Sequence, residues 1–263
     1  MKKFDGILIA SDWDGTLFCN GDISAQNKAA IEYFMENGGY FTVCSGRYYS
    51  YLKAQRDKIA PNTYSICLNG AYIANTENGD ILYSKPCDER LFEYIDILFL
   101  NTDNYETVYL YPADADGSIV YTKDEYTQNL SEIKQRKYYK AAFYSKTNEG
   151  GDRGAKHANS IDLGAYSAQR SYRPCLEIML TENTKGEAIK KLANHLGVKF
   201  TVAVGDYEND IPMLIDADVG YAVENAADSV KAIADRITVS CENSALAKII
   251  QDIEFDILPK IKS

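Results

Sequence analysis

The feature that most constrains the fold is the run Gly6-Ile7-Leu8-Ile9-Ala10-Ser11, which stops abruptly at Asp12-Trp13-Asp14-Gly15-Thr16-Leu17. A short, continuous aliphatic stretch is the pattern of a strand buried on both faces, as in a parallel sheet. Ligands of such sheets bind beyond the carboxyl ends of the strands, so the acidic residues that close the run fall where function is expected. The pattern recurs: Tyr40 to Cys44 ends at Ser45-Gly46-Arg47, and Phe200 to Val204 ends at Gly205-Asp206. Ser24 can cap a helix whose Ile31, Phe34 and Met35 share one face, with Gly38-Gly39 as its stop. A second helix through Lys58 leads to the strand Ser65 to Leu68, which ends at Asn69-Gly70. This alternation predicts a doubly wound, Rossmann-like α/β sheet.

The rhythm then changes. Tyr72 to Ala74 and Ile81 to Tyr83, joined by a turn containing Asn78-Gly79, read as a hairpin. A helix near Glu89 to Leu100 and strands at Thr107 to Tyr111, Ile119 to Tyr121, Tyr138 to Tyr144 and Pro174 to Leu180 describe an α+β insertion. Within it, the polar, glycine-rich stretch Thr147 to Ser160 reads as a loop without regular structure. Beyond Thr181 the α/β pattern returns, with a helix capped by Thr184 and running to Gly197, a late strand at Ile237 to Val239 and a last helix at Ala245 to Ile253. The expected division is a core made of residues 1–83 and 182–263 with a cap of residues 84–181 inserted between them.

Composition narrows the partners. Lys+Arg 28 against Asp+Glu 38 gives a net charge of −10, a balance that repels nucleic acid and anionic membrane. The longest apolar stretches fall far short of the roughly 20 residues that span a bilayer. The first apolar run ends at Asp12, before a signal peptide is complete. These features predict a cytoplasmic protein, a monomer or small homo-oligomer, acting on a small molecule. The six cysteines are spaced too widely for a CxxC pair and are expected to be buried free thiols. Neither His157 nor His195 has a second histidine at ligand spacing, so neither is expected to bind metal.

Asp12 and Asp14, two residues apart with Gly15 for the turn, can bind one hard cation and still offer an oxygen as nucleophile. An Asx-type turn after a strand would use the same residues. Asp206, in Gly205-Asp206-Tyr207-Glu208-Asn209-Asp210, can complete a Mg2+ site if its strand lies beside the first, although acidic residues also suit a helix N-terminus on their own account. Ser45-Gly46-Arg47 and Lys185-Gly186 supply a hydroxyl, backbone amides and an ammonium, which a phosphate dianion needs beside a metal. Each is commonplace alone; their joint placement at strand ends and helix starts gives them value.

Taken together, DWDGT, Ser45-Gly46-Arg47, Lys185-Gly186 and GDYEND, with Asn69-Gly70-Ala71, resemble in order the motifs of the haloacid dehalogenase superfamily, in its Cof-type branch with the type IIB cap. The resemblance covers nearly the whole chain. It implies a Mg2+-dependent phosphatase of small phosphorylated metabolites, most readily sugar phosphates. Asp12 would be the nucleophile that becomes an aspartyl phosphate, and Asp14 the general acid and then base. Asp12, the backbone carbonyl of Asp14, and Asp206 would hold Mg2+, with Asp210 steadying that shell from behind. Ser45 and Lys185 would grip the transferring phosphoryl group, while Gly46, Arg47, Asn69, Gly70 and Asn209 would contact phosphate or substrate.

The chain departs from the pattern at Trp13, at Ser45, where the family more often has threonine, and in the tail Cys241-Glu242-Asn243-Ser244-Ala245. Trp13 should point away from the nucleophile if the strand alternation continues. The insertion is rich in tyrosine, including Tyr109, Tyr111, Tyr121, Tyr138, Tyr139 and Tyr144, which suits either sugar stacking or a half-exposed sheet. Alternation places Arg173 and Glu177 on one face, as a substrate contact or as a surface ion pair. Two other activities fit the same motifs: a phosphosugar mutase, and a non-catalytic protein that binds metal or phosphate.

Overall fold

A computed structural model describes residues 2–261. Among these, five parallel strands form one sheet in the order β13 (Arg236–Ile237), β12 (Val219–Ala222), β11 (Phe200–Gly205), β1 (Ile7–Ser11) and β2 (Tyr40–Val43). Every residue of β1 is buried, as its aliphatic run requires. Ser11 lies opposite Val204 on one side and Val43 on the other. That register brings the segments after β1, β2 and β11 out of the sheet at one edge.

The helices around this sheet start and stop where the sequence indicates. The Ser24 hydroxyl accepts the Asn27 N–H at 3.1 Å, opening Ala25–Glu36, and the Thr184 hydroxyl accepts the Glu187 N–H at 3.3 Å, opening Lys185–Leu196. Gly197 ends the second of these in the left-handed region, at φ 66°. The predicted third strand, β3 (Ser65–Cys67), joins β2 through the Cys44–Ile66 bridge but pairs antiparallel with β4 (Tyr72–Ala74), which forms the expected hairpin with β5 (Ile81–Ser84).

A second, antiparallel sheet has the order β7 (Ile119–Thr122), β6 (Thr107–Pro112), β8 (Tyr138–Tyr144), β10 (Cys175–Leu180), β9 (Tyr166–Tyr172). Its period-two alternation separates two faces. Val108, Leu110, Phe143, Leu176 and Ile178 pack with Leu91, Ile95 and Phe99 in a core of their own. Tyr111, Ala142 and Cys175 instead join the core of the first sheet. Tyr111 lies opposite Lys140 and Pro112 opposite Tyr138, so Tyr139 is one residue too many. Lys140 takes the same face as Ala142 by ordinary alternation, and the bulge leaves Tyr139 packed in the first-sheet core as well.

Three expectations are corrected. Thr147 to Ser160 is not a loop: Asn148–Ala158 is a helix, with the Thr147 hydroxyl accepting the Gly150 N–H at 3.0 Å. Gly150, Gly151 and Gly154 form its packed face, where an added Cβ would overlap Ser145, the Arg173 carbonyl and Tyr105. Those glycines serve close approach rather than flexibility. Strand β9 was not expected, because YSAQRSY lacks an apolar alternation; it is an edge strand and mostly half-exposed. Finally, Cys19 and Cys241 are joined by a disulfide across 222 residues of sequence, while Cys44, Cys67, Cys87 and Cys175 are buried free thiols. Spacing in sequence carried no information about a pair that the fold brings together.

Closing so long a loop restricts the unfolded chain, so reduction by a dithiol, or Cys19→Ser, should lower Tm by about 5–15 °C. Thermal melts with and without reductant check this; identical Tm values would show that the bond contributes nothing. Among the described residues no helix is long and apolar enough to cross a membrane.

Candidate active site

Asp12 follows β1 directly, and its N–H donates to the Val204 carbonyl at 2.9 Å, continuing the parallel ladder one residue beyond the strand. Gly15, at φ +83°, approaches Asp206 so closely that a Cβ there would lie 2.6 Å from its Oδ2. The Thr16 hydroxyl donates to Asp206 Oδ1 at 3.0 Å. Asp210 is occupied on both oxygens: Oδ2 accepts the N–H groups of Asp206 and Tyr207 at 2.9 and 3.1 Å, and Oδ1 accepts Lys185 Nζ at 2.6 Å. Lys185 also donates to Asp12 Oδ1 at 2.5 Å. Gly70, at φ +111°, allows the turn after β3 to lie against the Thr184 and Asn183 carbonyls at the start of the Lys185 helix.

The carboxylates of Asp12, Asp206 and Asp210 bring oxygens within 4.8 Å of one another. One fully buried ammonium, Lys185, stands against them. Burial, and then the charge of Asp210, hold the Asp12 carboxyl well above the usual carboxylate range. The same two causes push Asp206 up to about 7. Burial opposes the charge on Lys185, but Asp12 and Asp210 outweigh it and raise its proton affinity. An all-oxygen cluster with this excess of negative charge fits a hard divalent cation. With Asp210 fully engaged, Asp12 and Asp206 are the side chains that can face one.

Asp14 lies at the exposed rim, where both its oxygens accept from Arg47, Nε at 2.8 Å and an Nη at 3.1 Å. The Arg47 guanidinium also covers the Tyr51 ring, 4.9 Å from its centroid. Ser45 is buried, and its Oγ accepts the Arg47 N–H at 3.1 Å. Trp13 points away from this site, as the alternation predicts, and stacks on Phe18 at 5.1 Å.

One cavity of about 560 Å³ gathers Asp12, Asp14, Ser45, Gly46, Arg47, Asp206 and Asn209. Its opposite wall comes from the second sheet, through Tyr111, Tyr144, Ser171, Tyr172 and Glu177. Lys185 lies beneath the floor, and Asn69 behind the wall joins the two sides: its Oδ1 accepts from Asn209 Nδ2 at 3.2 Å, and its Nδ2 donates to Glu177. Gly70 does not line the cavity. A larger groove of about 690 Å³, lined by residues 86–92 and 134–138, carries Arg90, Lys134, Arg136 and Lys137 but, among the described residues, no cluster of three carboxylates like that of Asp12, Asp206 and Asp210.

Glu177 and Arg173 do not share a face. Glu177 is buried against Lys140 at 2.8 Å, whereas Arg173 pairs with Asp152 at the surface, 2.5 Å away. Lys140 and Arg170 escaped the sequence reading. Lys140 had a signal: it is the one charge in YYKAAFY, a strand whose first six residues are all buried. Arg170, bonded to Glu208 and Asp152, had none.

The chain matches the family model of the haloacid dehalogenase-like hydrolases over residues 9–250. It is 26% identical to the phosphatase YwpJ of Bacillus subtilis, over 94% of this chain and 99% of the relative. It is 25% identical to the 5-amino-6-(5-phospho-D-ribitylamino)uracil phosphatase YitU of the same organism, over 93% and 96%. A solved subclass IIB sugar phosphatase shares the fold with a TM-score of 0.75 at 19% identity, over 94% of this chain and 98% of its own.

Proposed function

The chain belongs to the haloacid dehalogenase-like hydrolases, and from that premise we propose that this phosphatase is Mg2+-dependent, acts on small sugar phosphates and works through an aspartyl phosphate on Asp12. The observation that carries the reading is Asp12 itself: a carboxylate at the end of β1, fixed by Lys185 at 2.5 Å and open to the cavity beside Asp206. The names of a relative acting on a phosphorylated ribityl chain and of a sugar phosphatase with the same fold support the substrate class.

Mg2+, held by Asp12, the Asp14 carbonyl and Asp206, supplies charge neutralisation for the phosphoryl oxygens and the carboxylates around them. The free oxygen of Asp12 attacks phosphorus, and the bond from phosphorus to the leaving oxygen breaks. Asp14 gives its proton to that oxygen, so the product leaves as an alcohol. A water then loses a proton to Asp14 and attacks the phosphorus of the acyl phosphate, releasing phosphate and restoring Asp12. Lys185 and Ser45 hold the phosphoryl oxygens through both steps. Because Arg47 engages both oxygens of Asp14 at the rim, Asp14 must exchange this partner for the leaving oxygen during the reaction. Residues 84–181 act as a cap that excludes water and screens the leaving group.

Phosphate release from a panel of sugar phosphates should fall at least about a hundredfold when EDTA replaces Mg2+. Release that ignores the chelator, or no release from any phosphomonoester with Mg2+ present, would overturn the reading.

A further inference from the structure

Cys19 and Cys241 close a ring of bonds that borders Asp206. The segment leaving Asp12 turns at Gly15, whose N–H donates to the Phe18 carbonyl at 3.1 Å, and reaches Cys19, whose N–H and carbonyl both pair with Asp22 at 3.0 Å. The disulfide carries this segment to Cys241. The Cys241 N–H donates to Asn225 Oδ1 at 2.8 Å, and Asn225 Nδ2 returns to the Gly15 carbonyl at 2.9 Å. Asp206 is held from both sides of this ring. Its carboxylate accepts the Thr16 hydroxyl at 3.0 Å and lies against Gly15, and its carbonyl accepts the Ala227 N–H at 2.9 Å, just beyond Asn225.

Two other hydrogen bonds join the same segments, Asn20 to Glu242 at 3.0 Å and Ser24 to Ser244 at 2.8 Å. Neither is fully buried, so water can replace them at little cost. The S–S bond is the covalent link. Cys19 is half-buried while Cys44, Cys67, Cys87 and Cys175 are buried, so a small dithiol meets this sulfur pair first. One thiolate of the dithiol attacks Cys19 Sγ, and the electron pair of the S–S bond leaves with Cys241 Sγ. The second thiolate then displaces Cys19 Sγ; the two cysteines take up the protons the dithiol lost, and the dithiol is oxidised to a cyclic disulfide. Resting on the Mg2+-dependent reading above, we infer that the Cys19–Cys241 disulfide is a redox-controlled brace of the metal site, closed in the form that binds Mg2+ and loosened by reduction. Opening the ring frees the turn at Gly15. The arrangement of the Asp14 carbonyl and Asp206 that receives the ion is then populated only part of the time, and the apparent affinity falls by that fraction.

The test is titration calorimetry of Mg2+ into oxidised and dithiol-reduced protein. Reduction should weaken Mg2+ binding about tenfold. The double variant Cys19→Ser, Cys241→Ser should bind like the reduced protein and ignore the dithiol, which separates the effect from the four buried thiols. Asn225→Ala cuts the same ring with the disulfide intact; it should weaken binding by a similar factor, and reduction should add little to it. Because coupling is reciprocal, saturating Mg2+ should raise about tenfold the dithiol-to-disulfide ratio needed to reduce half of the wild-type protein. With saturating Mg2+, kcat of the reduced enzyme should stay within about threefold of the oxidised one, as a loosened site refills and a damaged fold does not. Equal Mg2+ affinity in the two forms, tighter binding after reduction, or a loss of kcat that Mg2+ does not restore overturns the inference and leaves the phosphatase reading standing. Oxidised protein that binds no Mg2+ overturns both.

Discussion

Asp12→Asn is expected to lower phosphate release by about 10⁴-fold or more while leaving the protein folded. The amide keeps the shape of the carboxylate but is a far weaker nucleophile and a poorer ligand for a hard cation. The structural cost is small because Lys185 keeps its second partner, Asp210, at 2.6 Å. The substitution also removes one of three carboxylates whose oxygens crowd within 4.8 Å. In metal-free protein Tm should therefore stay within a few degrees of wild type, or rise. Steady-state phosphate release and a thermal melt on the same preparation check both halves. Activity above about a hundredth of wild type would move the nucleophile away from Asp12.

Lys185→Met should have the opposite profile, losing stability as well as activity. The ammonium is fully buried between Asp12 and Asp210. Removing it leaves two buried carboxylates without their cation, a change that costs about 3–5 kcal/mol, or a Tm loss of about 10 °C in a chain of this size. Activity should drop about 10³-fold with the loss of a phosphoryl-binding charge.

The pH dependence identifies the cause. The Asp12 carboxyl is already held above its ordinary range by burial and then by Asp210, with Lys185 opposing that rise. Without Lys185 it rises further. A carboxyl whose folded proton affinity exceeds its unfolded one contributes stability at low pH that is lost as pH climbs through its folded value. The Tm deficit of the variant should thus be smallest near pH ~4, where an unfolded carboxyl is half protonated, and grow toward neutral pH. A deficit that is flat with pH would assign the loss to packing rather than charge.

Much of the site was legible because parallel strands concentrate function at one edge. The aliphatic runs before Asp12 and Asp206 told where the strands end, and the register of Ser11 with Val204 and Val43 places those ends side by side. Thr184 and Gly197 could be read as helix boundaries because caps are local chemistry. What stayed hidden depends on partners remote in sequence. Gly150, Gly151 and Gly154 look like a loop until Tyr105 and the Arg173 carbonyl are seen against them. Cys19 and Cys241 are 222 residues apart in sequence and are neighbours only in the folded chain. Lys140 and Glu177 lie on strands far apart in sequence, and only the pairing of β8 with β10 brings them together.

The central claim is that phosphate passes through a covalent bond to Asp12. The most direct measurement is an acid quench of the wild-type enzyme during turnover with Mg2+, followed by peptide mass spectrometry. The account predicts one phosphoryl group on the peptide containing Asp12, removed by hydroxylamine as an acyl phosphate is and absent from Asp12→Asn. Rapid phosphate release with no phosphorylated peptide at any quench time, or a phosphoryl group on another residue, would contradict it.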